Sequence, residues 1–301
     1  MDRKDLYVVK QAIGYPTLRG IAIRKMNLNS RHIFHFIGRL LMSAIIILFA
    51  FTGFACRRSE PSGSNINSQV SHEITVSAAA SLRDAFGEIS KQYESRTSAK
   101  VNFNFGASGA LQKQIESGAP VDVFASAGRP QMDALVSQDL IEPGTQRDFT
   151  GNVLVLVVPT DSTSGLTSFA ELAGAKVTRL AIGNPKTVPV GKYAEQTLTR
   201  LGLWSQLQSR LILAEDVRQT LDYVARGEVD AGIVYASDVR AANNKVQKVA
   251  TASSDLHDPI LYPIAVIRAS SNKDAARGFI DAVMNEEGQR TLEKYGFKRA
   301  R

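Results

Sequence analysis

Two serines lie at corners built otherwise from small residues. Ser81 ends the stretch Val76-Ser77-Ala78-Ala79-Ala80-Ser81, and Ser108 sits within Gly106-Ala107-Ser108-Gly109. Each follows a run rich in strand-forming residues and precedes a segment of helix period. Two later stretches turn in the same way. "LAIGNPKTVPVGKY" leaves a strand at Gly183 and enters a helix near Val190 and Gly191. "LILAEDVRQTL" leaves a strand at Ala214 and enters a helix at Asp216 and Val217. The first N–H groups of a helix lack intrahelical partners and carry partial positive charge. At the end of a strand, behind small side chains, they make an anion site that needs no lysine or arginine. The serine hydroxyls add donors. The competing reading is that each serine simply caps its own helix. One corner fits either reading; four corners, two in each half of the body, favour a shared ligand.

Other chemistries are less well served. Gly106-Ala107-Ser108-Gly109-Ala110 nearly spells the nucleophile elbow of serine hydrolases, with Ser108 as nucleophile and His257 as base, but Ala110 stands where the last glycine belongs. His257 falls in the loop "SDLHDP" and is expected to face solvent; His72 precedes the body. No Cys/His cluster with metal spacing occurs. "GNPKTVPVGKY" fails as a phosphate loop, because its glycines are too far apart and Tyr193 follows Lys192. Arg83, Lys186, Lys192 and Arg218 lie near the corners and read as solvated first-turn cations that raise the local potential. Asp84, Glu215 and Asp216 suit the positive end of a helix dipole. Tyr235 ends an apolar strand and, taken alone, reads as a core tyrosine.

The elements that must hold these residues alternate. Strands are expected at 73–78, 100–105, 121–126, 152–159, 179–183, 210–214, 231–236 and 262–267. Helices are expected at 81–94, 109–117, 130–137, 168–173, 191–201, 216–226, 273–285 and 286–295. Alternation of this kind means α/β layers with parallel strands. The break after "NVLVLVVP" divides the body into two series, and a cleft between two lobes is a common ligand site.

The chain has 301 residues and a formal net charge of +7. Residues 1–55 carry eight Lys/Arg and two Asp/Glu, which leaves 28 basic against 27 acidic residues for the remainder. The basic excess belongs to the leader, so nucleic acid is not an expected partner. Arg31 and Arg39 precede an apolar run, and the small residues of "TGFAC" follow it, as in a signal peptide. Met26 would give a more usual leader length than Met1. Cys56 is the single cysteine. Its setting after Phe54 and Ala55 resembles a bacterial lipobox, with Gly53 where leucine is usual; a plain cleaved signal and an uncleaved anchor are the alternatives. The apolar run is short for a membrane span. Residues 57–73 are polar and rich in Ser, Asn and Gly, the composition of a flexible tether.

The body, roughly 73–298, resembles the periplasmic molybdate-binding proteins of bacterial ABC importers. The phrases that carry the resemblance are "ITVSAAASLRDAF", "FNFGASGALQKQIESGAPVDVFASAG", "LAIGNPKTVPVGKYAEQTLTRLGLW", "AEDVRQTLDYVARGEVDAGIVYASD" and "EKYGF". The resemblance implies a two-lobed type II periplasmic binding protein, each lobe a mixed, mainly parallel sheet flanked by helices, with the ligand in the interlobe cleft. It implies lobe 1 at 73–152 and 259–301, lobe 2 at 153–258, a leader at 1–55 and a tether at 56–72. Ser81 and Ser108 would each give a hydroxyl and a backbone N–H, Val190 and Val217 a backbone N–H, and Tyr235 its phenol. Molybdenum would be bound only as the oxyanion, molybdate or tungstate, with no cofactor. The implied partners are a membrane permease with its cytoplasmic ATPase, and the membrane through a lipid on Cys56; the protein itself would be a monomer. A binding protein of the same fold for sulfate, a Ser108 hydrolase and a cytoplasmic regulator are the alternatives. The leader and the lack of a helix-turn-helix weigh against the last.

Overall fold

The computed structural model describes residues 73–299. The leader, Cys56, the tether and His72 lie outside the described residues.

β1 (Glu73–Ala79) is the β-branched run "EITVSAA", buried on both faces from Val76 onward. A 3-10 turn, Ala80–Leu82, carries it into α1 (Arg83–Arg96). β2 (Lys100–Gly106) leads to α2 (Ser108–Glu116), and β3 (Val123–Ala125) leads to α3 (Arg129–Ser137). β4 (Arg147–Gly151) and β5 (Leu154–Pro159) follow, then β6 (Leu180–Gly183), α4 (Pro189–Arg200), α5 (Trp204–Leu207) and β7 (Leu211–Ala214). α6 (Val217–Ala225), β8 (Ala231–Tyr235), α7 (Ala236–Ala241), β9 (Val246–Thr251), β10 (Leu261–Val266), α8 (Lys273–Met284), α9 (Glu286–Lys294) and β11 (Lys298–Arg299) complete the body.

Two mixed sheets result. The 6-stranded sheet runs β11-β4-β10-β3-β1-β2, and the 5-stranded sheet runs β7-β6-β8-β5-β9. The parallel pairs are β1 with β2 and β3 in one sheet, and β6 with β7 and β8 in the other. These strands feed the corners. The antiparallel pairs involve β4, β5, β9, β10 and β11. The chain crosses between the sheets at 152–153 and again at 252–260, and α8 and α9 return to the first sheet. Phe279 of α8 meets Phe86 of α1 edge-on, with ring centroids 5.6 Å apart and both side chains buried. Burying a phenylalanine contributes about 1.5–3 kcal/mol, which ties the C-terminus to the first lobe.

The strand expected at 152–159 begins only at Leu154, because Asn152 and Val153 form the crossing. β4, β9 and β11 were not expected. β4 is the short, partly polar "RDFTG"; β9 exposes half of its residues, and β11 has two residues, so none shows an apolar run. The helix expected at 168–173 is a 3-10 segment, Phe169–Ala173, ended by Gly174. α4 starts earlier than expected, since Pro189 fits the first helical turn. No helix among the described residues is long and apolar enough to cross a membrane.

Candidate functional site: a pocket between the lobes

Register brings the corners together in pairs. Ala79, the last residue of β1, stands opposite Gly106, the last of β2. Gly183, the last residue of β6, stands opposite Ala214, the last of β7. In each sheet, two adjacent parallel strands therefore deliver two helix starts at the same edge. Tyr235 ends β8, which is parallel to β6. The two edges face each other. Ser81, Ser108, Val190, Val217 and Tyr235 line one pocket of about 10 Å³, room for little more than one compact group.

Two of the helices, α4 and α6, keep an N–H of their first turn unspent. In α4 the first intrahelical bond runs from Lys192 N–H to Val188 C=O, so the Val190 N–H precedes it. In α6 the Thr220 N–H bonds the Asp216 C=O, and the Asp216 carboxylate caps the Gln219 N–H at 2.9 Å, leaving the Val217 N–H. The side chains of Val190 and Val217 are buried and carry no polar atom, so only the backbone of each could donate to the pocket. Glycine makes one of these approaches possible. A Cβ on Gly191 would stand 1.9 Å from the Gly183 carbonyl oxygen, so only glycine lets α4 start this close to β6.

The serines do not cap their own helices. The N-cap of α2 is Ala107, and no side chain caps it. Ser108 Oγ instead accepts the Ala127 N–H at 3.0 Å. Ser81 Oγ lies 3.1 Å from Tyr262 Oη, and both residues are buried. Tyr235 is buried, and its hydroxyl donates to the Ala127 carbonyl across the cleft at 3.4 Å. Burial above all, then the neighbouring Tyr262 and Tyr193, pushes the Tyr235 phenol well above its ordinary pKa. The group stays protonated and remains a donor.

No lysine or arginine lines the pocket. Lys192 pairs with Glu195 at 2.8 Å, and the Arg83 guanidinium stacks 4.7 Å from the Phe105 ring centroid. Lys186 is exposed. Arg218 is not a freely solvated cation. It donates to Asp84 of the other lobe at 2.7 Å and to the Ser81 carbonyl at 3.3 Å. Its Nε also lies 3.3 Å from the buried Asp238 carboxylate, without the alignment of a hydrogen bond. Burial raises the Asp238 pKa to about 6 against the opposing field of Arg218. A further interlobe tie is the Gly109 N–H to the Thr187 carbonyl at 2.9 Å. The pocket is thus closed from both lobes.

A larger groove of about 930 Å³ shares Val188 and Pro189 with this pocket, but its wall mixes apolar side chains such as Trp204 and Leu213 with charges of both signs, Lys192 and Asp258 among them. Size alone does not make it the site; convergent donors do. The hydrolase arrangement is absent among the described residues. Ser108 Oγ bonds the Ala127 N–H, while His257 Nδ1 pairs with the Asp258 carbonyl at 2.8 Å. His257 was expected in solvent; it is instead buried against the edge of Tyr193, with centroids 5.9 Å apart. No group of His, Cys, Asp and Glu among the described residues could hold a metal ion.

Sequence reading missed Ala127, Asn152 and Tyr262. Asn152 Nδ2 donates to Tyr262 Oη at 3.2 Å and to Ser237 Oγ at 2.8 Å. Tyr262 heads the apolar run "YPIAV", much as Tyr235 ends "AGIVY". A hydroxyl at the end of a buried strand was the available signal.

Residues 74–298 match the family model described as bacterial extracellular solute-binding protein. The chain is 38% identical over 231 residues to the molybdate-binding protein ModA of Escherichia coli (strain K12), covering 75% of this chain and 88% of that one. It is 39% identical over 235 residues to YvgL of Bacillus subtilis (strain 168), provisionally named an ABC transporter substrate-binding lipoprotein, covering 78% and 89%. A periplasmic molybdate-binding protein from Azotobacter vinelandii superposes with a TM-score of 0.70 over 76% of this chain and 100% of that one; at 24% identity this likeness concerns the fold. With two mixed sheets enclosing one interlobe pocket and a family match over nearly all the described residues, the chain belongs to the bacterial extracellular solute-binding proteins.

Proposed function

We propose that this protein captures molybdate, with tungstate as a close competitor, and delivers it to an ABC importer. The observation that carries the reading is the pocket itself. Ser81, Ser108, Val190, Val217 and Tyr235, drawn from both lobes, line it, and no lysine or arginine does; in this reading they offer N–H and O–H groups. The name of the E. coli relative, at 38% identity, supports the choice of ion. Both ions are doubly deprotonated at neutral pH, so they accept hydrogen bonds and donate none. Asp216 also lines the pocket, but its carboxylate is turned to the Gln219 N–H of its own helix. A monoprotonated phosphate would need a facing acceptor. Sulfate passes the charge test and is rejected by size, because a cavity cut for longer metal–oxygen bonds stretches its hydrogen bonds.

The ion would bind both lobes at once and so favour their closed arrangement by differential affinity. Hydrogen bonds to an ion are stronger than neutral ones, and closure removes competing water. In this reading lobe 1 comprises 73–152 and 259–301, and lobe 2 comprises 153–258. The closed monomer docks on the permease, whose ATPase drives transport, and no reaction is catalysed. A lipid on Cys56 would keep it at the membrane; the name of the B. subtilis relative supports that placement. Thermal-shift titration with molybdate, tungstate, sulfate and phosphate tests the function. Stabilisation by the first two alone is expected; stabilisation by sulfate alone would transfer the site to the sulfate reading.

A further inference from the structure

The direction of one hydroxyl decides what the pocket recognises, and the residues behind Ser81 fix that direction. Asn152 is the starting point. Its Oδ1 accepts the Val153 N–H at 2.9 Å. A backbone N–H can only donate, so the oxygen must face it and the amide orientation is settled. The two amide hydrogens then go to Ser237 Oγ at 2.8 Å and Tyr262 Oη at 3.2 Å. Tyr262 therefore receives a hydrogen bond from Asn152. Its own proton must find an acceptor, and the neighbour within reach is Ser81 Oγ at 3.1 Å. The reverse arrangement, with Ser81 donating to Tyr262, would leave the buried phenol proton only the neighbouring Tyr235 hydroxyl, which makes no well-aligned hydrogen bond with Tyr262 and itself donates to the Ala127 carbonyl at 3.4 Å. Leaving a buried donor unpaired is the costly outcome.

We infer that Asn152 and Tyr262 are positioning residues that hold Ser81 as a hydrogen-bond donor into the pocket, and thereby set its selectivity for fully deprotonated oxyanions. The inference rests on the reading of the pocket as an oxyanion site. The relay runs Asn152 to Tyr262 to Ser81 to ligand. Ser108 obeys the same logic through a different partner, since the Ala127 N–H occupies its oxygen at 3.0 Å. Each serine oxygen already accepts one hydrogen bond from behind, which leaves its proton free to be donated to the ligand. A ligand that carries its own O–H meets two serine hydroxyls that are set to donate. Asn152 lies on one crossing between the lobes, and Tyr262 lies just after the other. The orientation of the donor is thus set where the lobes join.

The test uses Tyr262→Phe and Asn152→Asp in the purified protein. Affinities for molybdate and phosphate are measured by calorimetry, the weaker by competition, at a pH where phosphate is chiefly the monohydrogen dianion. Tyr262→Phe keeps the ring, which packs edge-on against Phe149 and Phe297, but frees the Ser81 oxygen to accept. Ser81 keeps its proton but loses the partner that aims it, so the molybdate Kd should rise a few-fold, while the phosphate Kd holds or falls. Asn152→Asp turns the relay round, since a carboxylate takes the Tyr262 proton and Ser81 then donates backwards; the ratio of the two Kd values should narrow in the same sense. A variant that cannot be folded leaves the other to decide. A parallel loss for both ions, or an unchanged ratio, overturns the inference, because a merely structural role moves both affinities together. Failure of the unaltered protein to bind molybdate would instead refute the proposed function and is read separately.

Discussion

Ser108→Ala separates the ligand-donor reading from the capping reading. Ser108 is fully buried, and Ala127, whose N–H it receives at 3.0 Å, is 3% exposed. Removing the hydroxyl leaves that N–H without a partner at a cost of about 1–3 kcal/mol. Since one hydroxyl is small, little cavity cost adds to it. In a body of this size each kcal/mol lowers Tm by about 2–4 °C, so thermal unfolding without ligand should show a drop of several degrees. Binding suffers a second, distinct loss. A hydrogen bond to a charged acceptor contributes about 1.5–3 kcal/mol, so the molybdate Kd should rise about 10- to 100-fold. Calorimetry on the variant, below its own Tm, reads this term alone. A helix cap would lower Tm and leave Kd unchanged. That outcome would refute the forward-pointing proton, and an unchanged Tm would refute the bond to Ala127.

Three further changes probe the frame around the pocket. Gly191→Ala places a methyl 1.9 Å from the Gly183 oxygen, so the start of α4 must move away; overpacking costs about 1–3 kcal/mol, and both Tm and molybdate affinity should fall, whereas wild-type values in both would mean the helix start is not held there. Asp84→Ala removes the 2.7 Å interlobe contact to Arg218; an ion pair this exposed is worth about 0.2–1 kcal/mol, so Kd should rise by up to about fivefold in low salt and converge with wild type in high salt, and a salt-independent change would exclude the pair as the cause. Asp238 has its pKa raised to about 6 by burial, against Arg218. The folded state therefore holds a proton that the unfolded chain loses near pH 4, so this group favours folding below that pH and the gain disappears as pH rises through 6. Urea unfolding of wild type and Asp238→Asn at pH 5 and 7.5 should differ in pH dependence by about 1.4 kcal/mol, since only about one pH unit of the window lies below the folded pKa; identical dependence in the two proteins would show that Asp238 does not titrate in this window.

The alternation of strand and helix, the break into two series and the small residues at the corners were legible in the chain, because they depend on neighbours within a few positions. Ala79, Ala80, Gly106 and Gly183 leave room for backbone approach whatever surrounds them. The three unexpected strands were not legible: β4 and β9 are short or half exposed, and they are strands because a partner chain segment bonds them. The same limit governs the site. Ser81 and Ser108 looked alike as caps or as donors, and only the Tyr262 hydroxyl, 181 positions away, and the Ala127 N–H, 19 positions away, settle which atom of each is already occupied. Arg218 read as a solvated cation until the fold set it against Asp84, 134 positions earlier. Local sequence determines where a helix begins; which way a buried proton points depends on every donor packed behind it, and that is decided only when distant segments meet.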